Sequence, residues 1–154
     1  MTLLMQDPQA PEKWFSNLPV TNRYTYGLAG EKFYRAFKEL GKIYGTHCPH
    51  CHRTYVPATI FCEKCFAELN EWVDVGLIGE LYTFTILYEN VDGTPRNRPQ
   101  AIGFVKIADG GLIHYIGGIQ PDEIQIGMPL KAKFKPKSER IGAITDIEYF
   151  LPFK

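Results

Sequence analysis

Three things are scarce in this chain, and each scarcity removes a class of explanation. There is no charge excess: 17 Lys and Arg balance 17 Asp and Glu in 154 residues. Nucleic-acid binders usually carry a basic surplus or stripe, so that class loses its ordinary support. Long apolar runs are missing as well, and none approaches the ~20 residues that a membrane-spanning helix needs. The opening residues, MTLLMQDPQAPEKW, have neither a basic start nor a sustained apolar stretch and do not read as a signal peptide. Cysteine is the third scarcity, with four in all. Internal repeats, low-complexity tracts, G-x-S-x-G, a P-loop and a dinucleotide fingerprint are likewise absent.

The few cysteines are concentrated. The stretch His47–Phe66 reads HCPHCHRTYVPATIFCEKCF and holds two C-x-x-C pairs, Cys48/Cys51 and Cys62/Cys65, with ten residues between them. Each such turn presents two sulfurs on one side, and four thiolates satisfy a tetrahedral zinc ion. A structural zinc on all four is therefore expected. Two disulfides or a thioredoxin-type redox pair are the alternatives, but a redox pair leaves the second, matched pair unexplained. His47, His50 and His52 crowd the first pair and could stand in as ligands, although four cysteines already close the site. A closed site keeps no position for a catalytic water, so the metal should hold the fold rather than do chemistry. Reduced thiols and the unsignal-like start make the cytoplasm the expected location.

The fold expected is mainly β with an N-terminal helix: an arm and helix over 1–45, a rubredoxin-like zinc ribbon over 46–70 and a five-stranded barrel over 71–154. Pro8, Pro11 and Pro19 disfavour regular structure in residues 1–27. The aromatics Trp14, Phe15, Tyr24 and Tyr26 suit either a cover over this domain or a docking arm for a partner. Residues 29–42 are predicted helical, because Phe33, Phe37 and Leu40 recur at i, i+4 and i+7, with Ala36 and Ile43 extending the stripe. Gly41 and Gly45 supply stop signals. Asn70–Val75 reads as a bridge carrying Trp72. Strands are then expected at Gly79–Tyr88, Gln100–Ala108, Leu112–Ile119, Pro129–Pro136 and Ile144–Phe150. Glu89–Pro99 reads as a loop, Asp109-Gly110-Gly111 as a tight hairpin turn, and Gln120–Gly127 as a connection with one helical turn from Pro121. Five strands with one longer connection between the third and fourth fit a closed Greek-key barrel of the OB type, with an open sheet as the alternative.

In this order the parts resemble a known family. The residues that carry the likeness are FYRAFKELGKIYGTHCPHC, CEKC followed by Trp72 and Gly79, AIGFVKIADGGLIHYIGG, IGMPLKAKF and the terminal YFLPF, spanning about Glu31 to Phe153. Together they are similar to the acyl-CoA-associated OB-fold proteins with a rubredoxin-like zinc ribbon, domain of unknown function family 35. The resemblance implies a non-catalytic scaffold subunit. Its partner would be a thiolase-like or hydroxymethylglutaryl-CoA-synthase-like enzyme, or another acyl-CoA enzyme such as an aldolase or hydratase. The subunit would help to hold or pass acyl-CoA.

The residues suggest no active site of the chain's own. Three histidines surround the first cysteine pair, His114 stands alone in a strand, and Asp122 and Glu123 look solvated. For CoA phosphates the candidate cations are Arg96 and Arg98, in the expected loop, and Lys133 and Lys135, on the outer face of a strand with Lys131. The loop Asn90–Arg98 would close over a CoA shared with the partner. The plainer reading of the lysines is a solvated face or a protected edge. Two competing readings remain: single-stranded nucleic acid stacked on Tyr82, Phe84, Tyr88 and Tyr115, residues otherwise expected in the core, or an adaptor with no ligand.

Overall fold

The computed structural model describes residues 25–90 and 92–153. The expected arm, apart from Thr25, Tyr26 and Gly27, lies outside the described residues, and with it the reading of Trp14, Phe15 and Tyr24. Helix α1 (Gly27–Leu40) begins and ends two residues earlier than predicted. Phe33, Ala36 and Phe37 are buried along its apolar side, and Ile43 is fully buried just beyond it. Leu40 departs from the expected stripe and is exposed, because the chain leaves the helix there. Gly41, at φ 64°, donates its N–H to Phe37 O, and Lys42 donates to Ala36 O. These are the paired closing bonds of a Schellman cap, which needs a left-handed residue that glycine adopts without strain.

Next comes a small antiparallel sheet of β1 (Tyr44–Cys48), β2 (Arg53–Tyr55) and β3 (Glu71–Asp74), in the order β2-β1-β3. The expected bridge around Trp72 is thus a strand, paired with β1 from Tyr44↔Asp74 to His47↔Glu71. Gly45 is no stop signal but a position inside β1, where a Cβ would come within 2.7 Å of Tyr55 O.

Five further strands close a barrel: β4 (Ile78–Glu89), β5 (Pro95–Ile107), β6 (Gly110–Ile116), β7 (Pro129–Phe134) and β8 (Ile147–Pro152). Their order is β4-β5-β6-β8-β7, with β7 returning to β4. Only β6 and β8 run parallel, and they meet at Ile116↔Phe150. This is the OB-type Greek key anticipated from the strand count. Leu81, Val105, Leu130, Ile147 and Phe150 fill the interior. That core continues without a break into Phe33, Phe37 and Ile43 and into Val56 and Ala58 after β2, so helix and ribbon are packed onto the barrel. Among the described residues no helix is long and apolar enough to cross a membrane.

Several strand readings need correction. The long loop Glu89–Pro99 shrinks to residues 90–94, since Glu89 already faces Pro95 across the hairpin. Asn90, Asp92 and Thr94 make a compact reversal: Asn90 N–H donates to Thr94 O, and Thr94 N–H donates to Asp92 Oδ1. Pro95 and Pro99 are tolerated because β6 ends at Ile116, opposite Ala101, so residues 95–100 form a free edge that needs no N–H. The β5–β6 turn is Ala108-Asp109, with Ala108 at φ 52°, and both glycines after it are paired within β6. Gly110 is needed for close approach instead: a Cβ there would lie 2.1 Å from Val56 O. The last strand starts at Ile147, because Ile144–Asp146 is a 3-10 turn held by the buried Asp146 carboxylate. It accepts the N–H groups of Ile141, Gly142 and Ala143.

Candidate functional site

β1 and β2 position the first cysteine pair. Cys48 ends β1, the chain reverses through Cys51, and His52 N–H donates back to Cys48 O at 2.8 Å. The second pair repeats this geometry, with Phe66 N–H donating to Cys62 O at 2.9 Å. The residue after each pair, His52 (φ 53°) and Phe66 (φ 59°), takes the left-handed conformation that turns the chain away from the sulfurs. Cys48 and Cys62 are buried, Cys51 is half-buried and Cys65 is exposed.

All four sulfurs lie within 4.8 Å of one another, and Cys48 and Cys65 Sγ are 3.6 Å apart. A tetrahedral zinc with bonds of about 2.3 Å requires sulfur separations of about 3.8 Å, so the donor set fits the ion with small adjustments. None of the three neighbouring histidines joins this group; His47 Nδ1 is instead 3.0 Å from Thr54 Oγ1. The four cysteines are free thiols, not disulfides. Tyr55, which the sequence reading passed over, brings its hydroxyl within 3.2 Å of Cys62 Sγ. That hydroxyl, as donor, draws the Cys62 thiol down to about 6, whereas contact with Cys65 and the other sulfurs pushes Cys51 up to about 12.

The four candidate cations are not brought together. Arg96 and Arg98 lie in β5, on its free edge, not in a loop. Arg98 lines a cavity of about 690 Å³ in the corner between that edge, the end of β6 and β8. Gln100, Tyr115, Gly117, Glu148 and Tyr149 share the lining. Lys133 in β7 reaches the rim of this cavity indirectly: its ammonium donates to Tyr149 Oη at 2.8 Å and pairs with Glu148 at 2.9 Å. Both partners hold its pKa up, Tyr149 first. Arg96 is not in the lining, and Lys135 sits beyond the end of β7, its N–H bonded to Asp146 O and its carbonyl accepting from Arg140 Nε. Sequence reasoning missed Tyr149 and Gln100 because nothing in their local pattern marks a corner formed by strands far apart in the chain.

The aromatics reverse another expectation. Tyr82 is 60% exposed and Tyr88 62%, with Tyr115 also exposed. A bulge between Leu81 and Thr83 shifts the alternation of β4, so Leu81 takes the interior and Tyr82 faces out.

Known proteins share this architecture. A model of the ChsH2 rubredoxin-like zinc ribbon domain matches residues 35–71, and a model of the ChsH2 C-terminal OB-fold domain matches residues 72–135. A chain of the Ltp2-ChsH2(DUF35) aldolase is similar in fold at 20% identity and a TM-score of 0.60, over 84% of this chain and 98% of that one. A crystal structure of a DUF35-family protein of unknown function from Sulfolobus solfataricus is 30% identical, with a TM-score of 0.59 over 69% of this chain and 78% of that one. With its zinc ribbon and OB barrel matched in tandem, the chain belongs to the DUF35 family.

Proposed function

We propose that this protein is a non-catalytic assembly subunit of an enzyme acting on acyl-CoA, braced by one Zn²⁺ on Cys48, Cys51, Cys62 and Cys65. The observation that carries the reading is the tandem ribbon-and-barrel match to ChsH2 domains, one structural relative being a chain of the Ltp2-ChsH2(DUF35) aldolase. The partner would be a thiolase-like, hydroxymethylglutaryl-CoA-synthase-like or aldolase-like enzyme of the cytoplasm. The helix with the arm, the ribbon and the barrel act as three units, with β3 tying ribbon to barrel.

The corner cavity is where a CoA moiety would touch this chain. Arg98 offers a guanidinium for phosphate oxygens, and the rings of Tyr115 and Tyr149 offer flat apolar surface. Lys133 would contribute only by releasing Tyr149 or Glu148, and Arg96 and Lys135 are spectators. Affinity purification of the tagged chain with mass spectrometry of what it retains tests the assembly. Titration of the purified assembly with acetyl-CoA tests the cavity: Arg98→Ala should weaken binding about tenfold while Arg96→Ala leaves it unchanged. Equal affinities would remove CoA from this site and favour a ligand-free adaptor.

One observation favours the nucleic-acid reading, namely the exposure of Tyr82, Tyr88 and Tyr115 on barrel strands. Stacking platforms work alongside a basic groove. A salt-dependent shift of a short oligonucleotide would support that use.

A further inference from the structure

A zinc ion on four thiolates would leave two excess negative charges, and a buried charge is costly unless hydrogen bonds offset it. The Cys51 N–H serves Cys48 in this way, 3.4 Å from its Sγ, a bond within the turn itself. Cys62 differs in having a side-chain partner from another strand. Tyr55 Oη stands 3.2 Å from Cys62 Sγ, and among the described residues no other side chain besides the cysteines hydrogen-bonds to these sulfurs. Tyr55 is held in place from three sides. It pairs with Thr46 of β1, and its ring packs with Cys48, Cys62 and Leu69 in the ribbon core. Both its chain neighbours are bonded to the β5–β6 hairpin: Thr54 N–H donates to Asp109 Oδ2, and Val56 O accepts from Gly111 N–H. The approach to Cys62 is fixed as well. Buried Thr46 donates its hydroxyl to Thr59 O and accepts the Thr59 N–H, which ties down the segment leading from β2 to Cys62.

Resting on the zinc reading above, we infer that Tyr55 is a positioning residue of the metal site: its O–H donates to the Cys62 sulfur, holds that sulfur towards the ion and draws off part of its charge. A metal-bound thiolate carries no proton, so the phenol is the donor and the sulfur the acceptor. Hydrogen-bond partners behind a metal ligand fix its orientation and tune the metal, and losing one typically weakens metal binding about 10- to 100-fold. Burial adds to the effect. Cys62 is fully buried and Tyr55 nearly so, which leaves little water at hand to replace a missing hydroxyl. Leu69 packs beside the same cysteines but offers no donor, so its role ends at packing.

The test uses the full-length chain loaded with Zn²⁺ and, separately, with Co²⁺. Tyr55→Phe keeps the ring and removes only the donor. It should lower zinc affinity about 10- to 100-fold in a chelator competition. Tyr44→Phe, at a β1 tyrosine that lines the groove beside Trp72, should match the wild type. In the cobalt form, the sulfur-to-metal charge-transfer band should move to longer wavelength in Tyr55→Phe, because a thiolate released from a hydrogen bond gives up an electron more readily. Leu69→Ala, which loosens the same core without removing a donor, should leave the band where it is. Either an unshifted band or an unchanged zinc affinity in Tyr55→Phe would overturn the inference while leaving the zinc reading intact. A wild-type chain that takes up neither metal would overturn both. One check needs no variant: with spin-one-half cadmium bound to the wild type, the Tyr55 hydroxyl proton should show scalar coupling to the metal through Cys62 Sγ. A hydroxyl proton that shows no coupling, or is lost to rapid exchange, would overturn the inference.

Discussion

The barrel and the ribbon hold themselves together by different means. Inside the barrel, Leu81, Val105, Leu130, Ile147 and Phe150 exclude water almost completely, joined by residues from α1 and from the segment after β2. The ribbon's own core is Cys48, Tyr55, Cys62 and Leu69, with Cys51 packed beside it. Two of its four buried members are cysteines proposed above as metal ligands, so area burial alone offsets little of the backbone order it demands. A zinc ion on the four sulfurs would supply what the apolar side chains do not. On the proposed zinc reading, one chain contains a module stabilised by burial and another stabilised by coordination, stitched at Gly110, where the β5–β6 hairpin meets β2. There Gly111 N–H donates to Val56 O, Asp109 N–H to Thr54 O, and Thr54 N–H to Asp109 Oδ2.

Metal removal should separate the two modules most sharply. Structural zinc in comparable small modules contributes about 10–16 kcal/mol at neutral pH. A chelator should release one zinc per chain, and amide exchange should accelerate through residues 44–74 while β4–β8 stay protected. Unchanged protection in the ribbon would refute the division. Next in size, Phe150→Ala should cost about 3–5 kcal/mol, since the ring is fully buried. Denaturant unfolding should then lose ribbon and barrel signals together, because the ribbon leans on the barrel core. Gly110→Ala strikes the seam itself, forcing a methyl against the Val56 carbonyl. It should cost about 1–3 kcal/mol and raise zinc exchange measured by a competing chelator.

Two smaller effects separate the modules by sign. Phe66 is held at φ 59° and is 79% exposed, so Phe66→Gly relieves strain without losing a core contact. It should tighten zinc retention by about 1 kcal/mol in a chelator competition. His114 belongs to the barrel: Nε2 lies 3.2 Å from Ile144 O, and Nδ1 is buried without a partner. Burial pushes its pKa below the usual histidine value of 6.5, so the unfolded chain takes up a proton more readily than the folded one. The stability from neutral His114 is complete above the unfolded pKa and is lost as pH falls below it towards the folded value. Denaturant midpoints between pH 7 and 5 should fall less in His114→Gln than in the wild type.

Legibility followed the range of the interactions. The cysteine cluster could be read because each C-x-x-C fixes its two sulfurs locally, and β7 because Leu130 and Ala132 alternate with Lys131 and Lys133 in an unbroken strand. Misreadings arose where distant partners decided. Tyr82 faces outward because β4 bulges against β5, and Arg98 sits in a strand because Asn90, Asp92 and Thr94 complete the reversal so tightly. Gly110 looked like a turn residue, yet its freedom from a Cβ serves a carbonyl more than fifty positions away in the chain.

By itself the sequence determined the helix with its Phe33, Ala36 and Phe37 stripe, the four-sulfur donor set and the existence of five barrel strands, because each rests on spacing along one stretch of backbone. The tertiary structure alone decided which strand edges stay open, that Tyr55 reaches Cys62, and that Arg98 and Tyr149 line one corner. Those outcomes depend on register and on the closure of the barrel, and a single bulge moves a side chain from the interior to the surface.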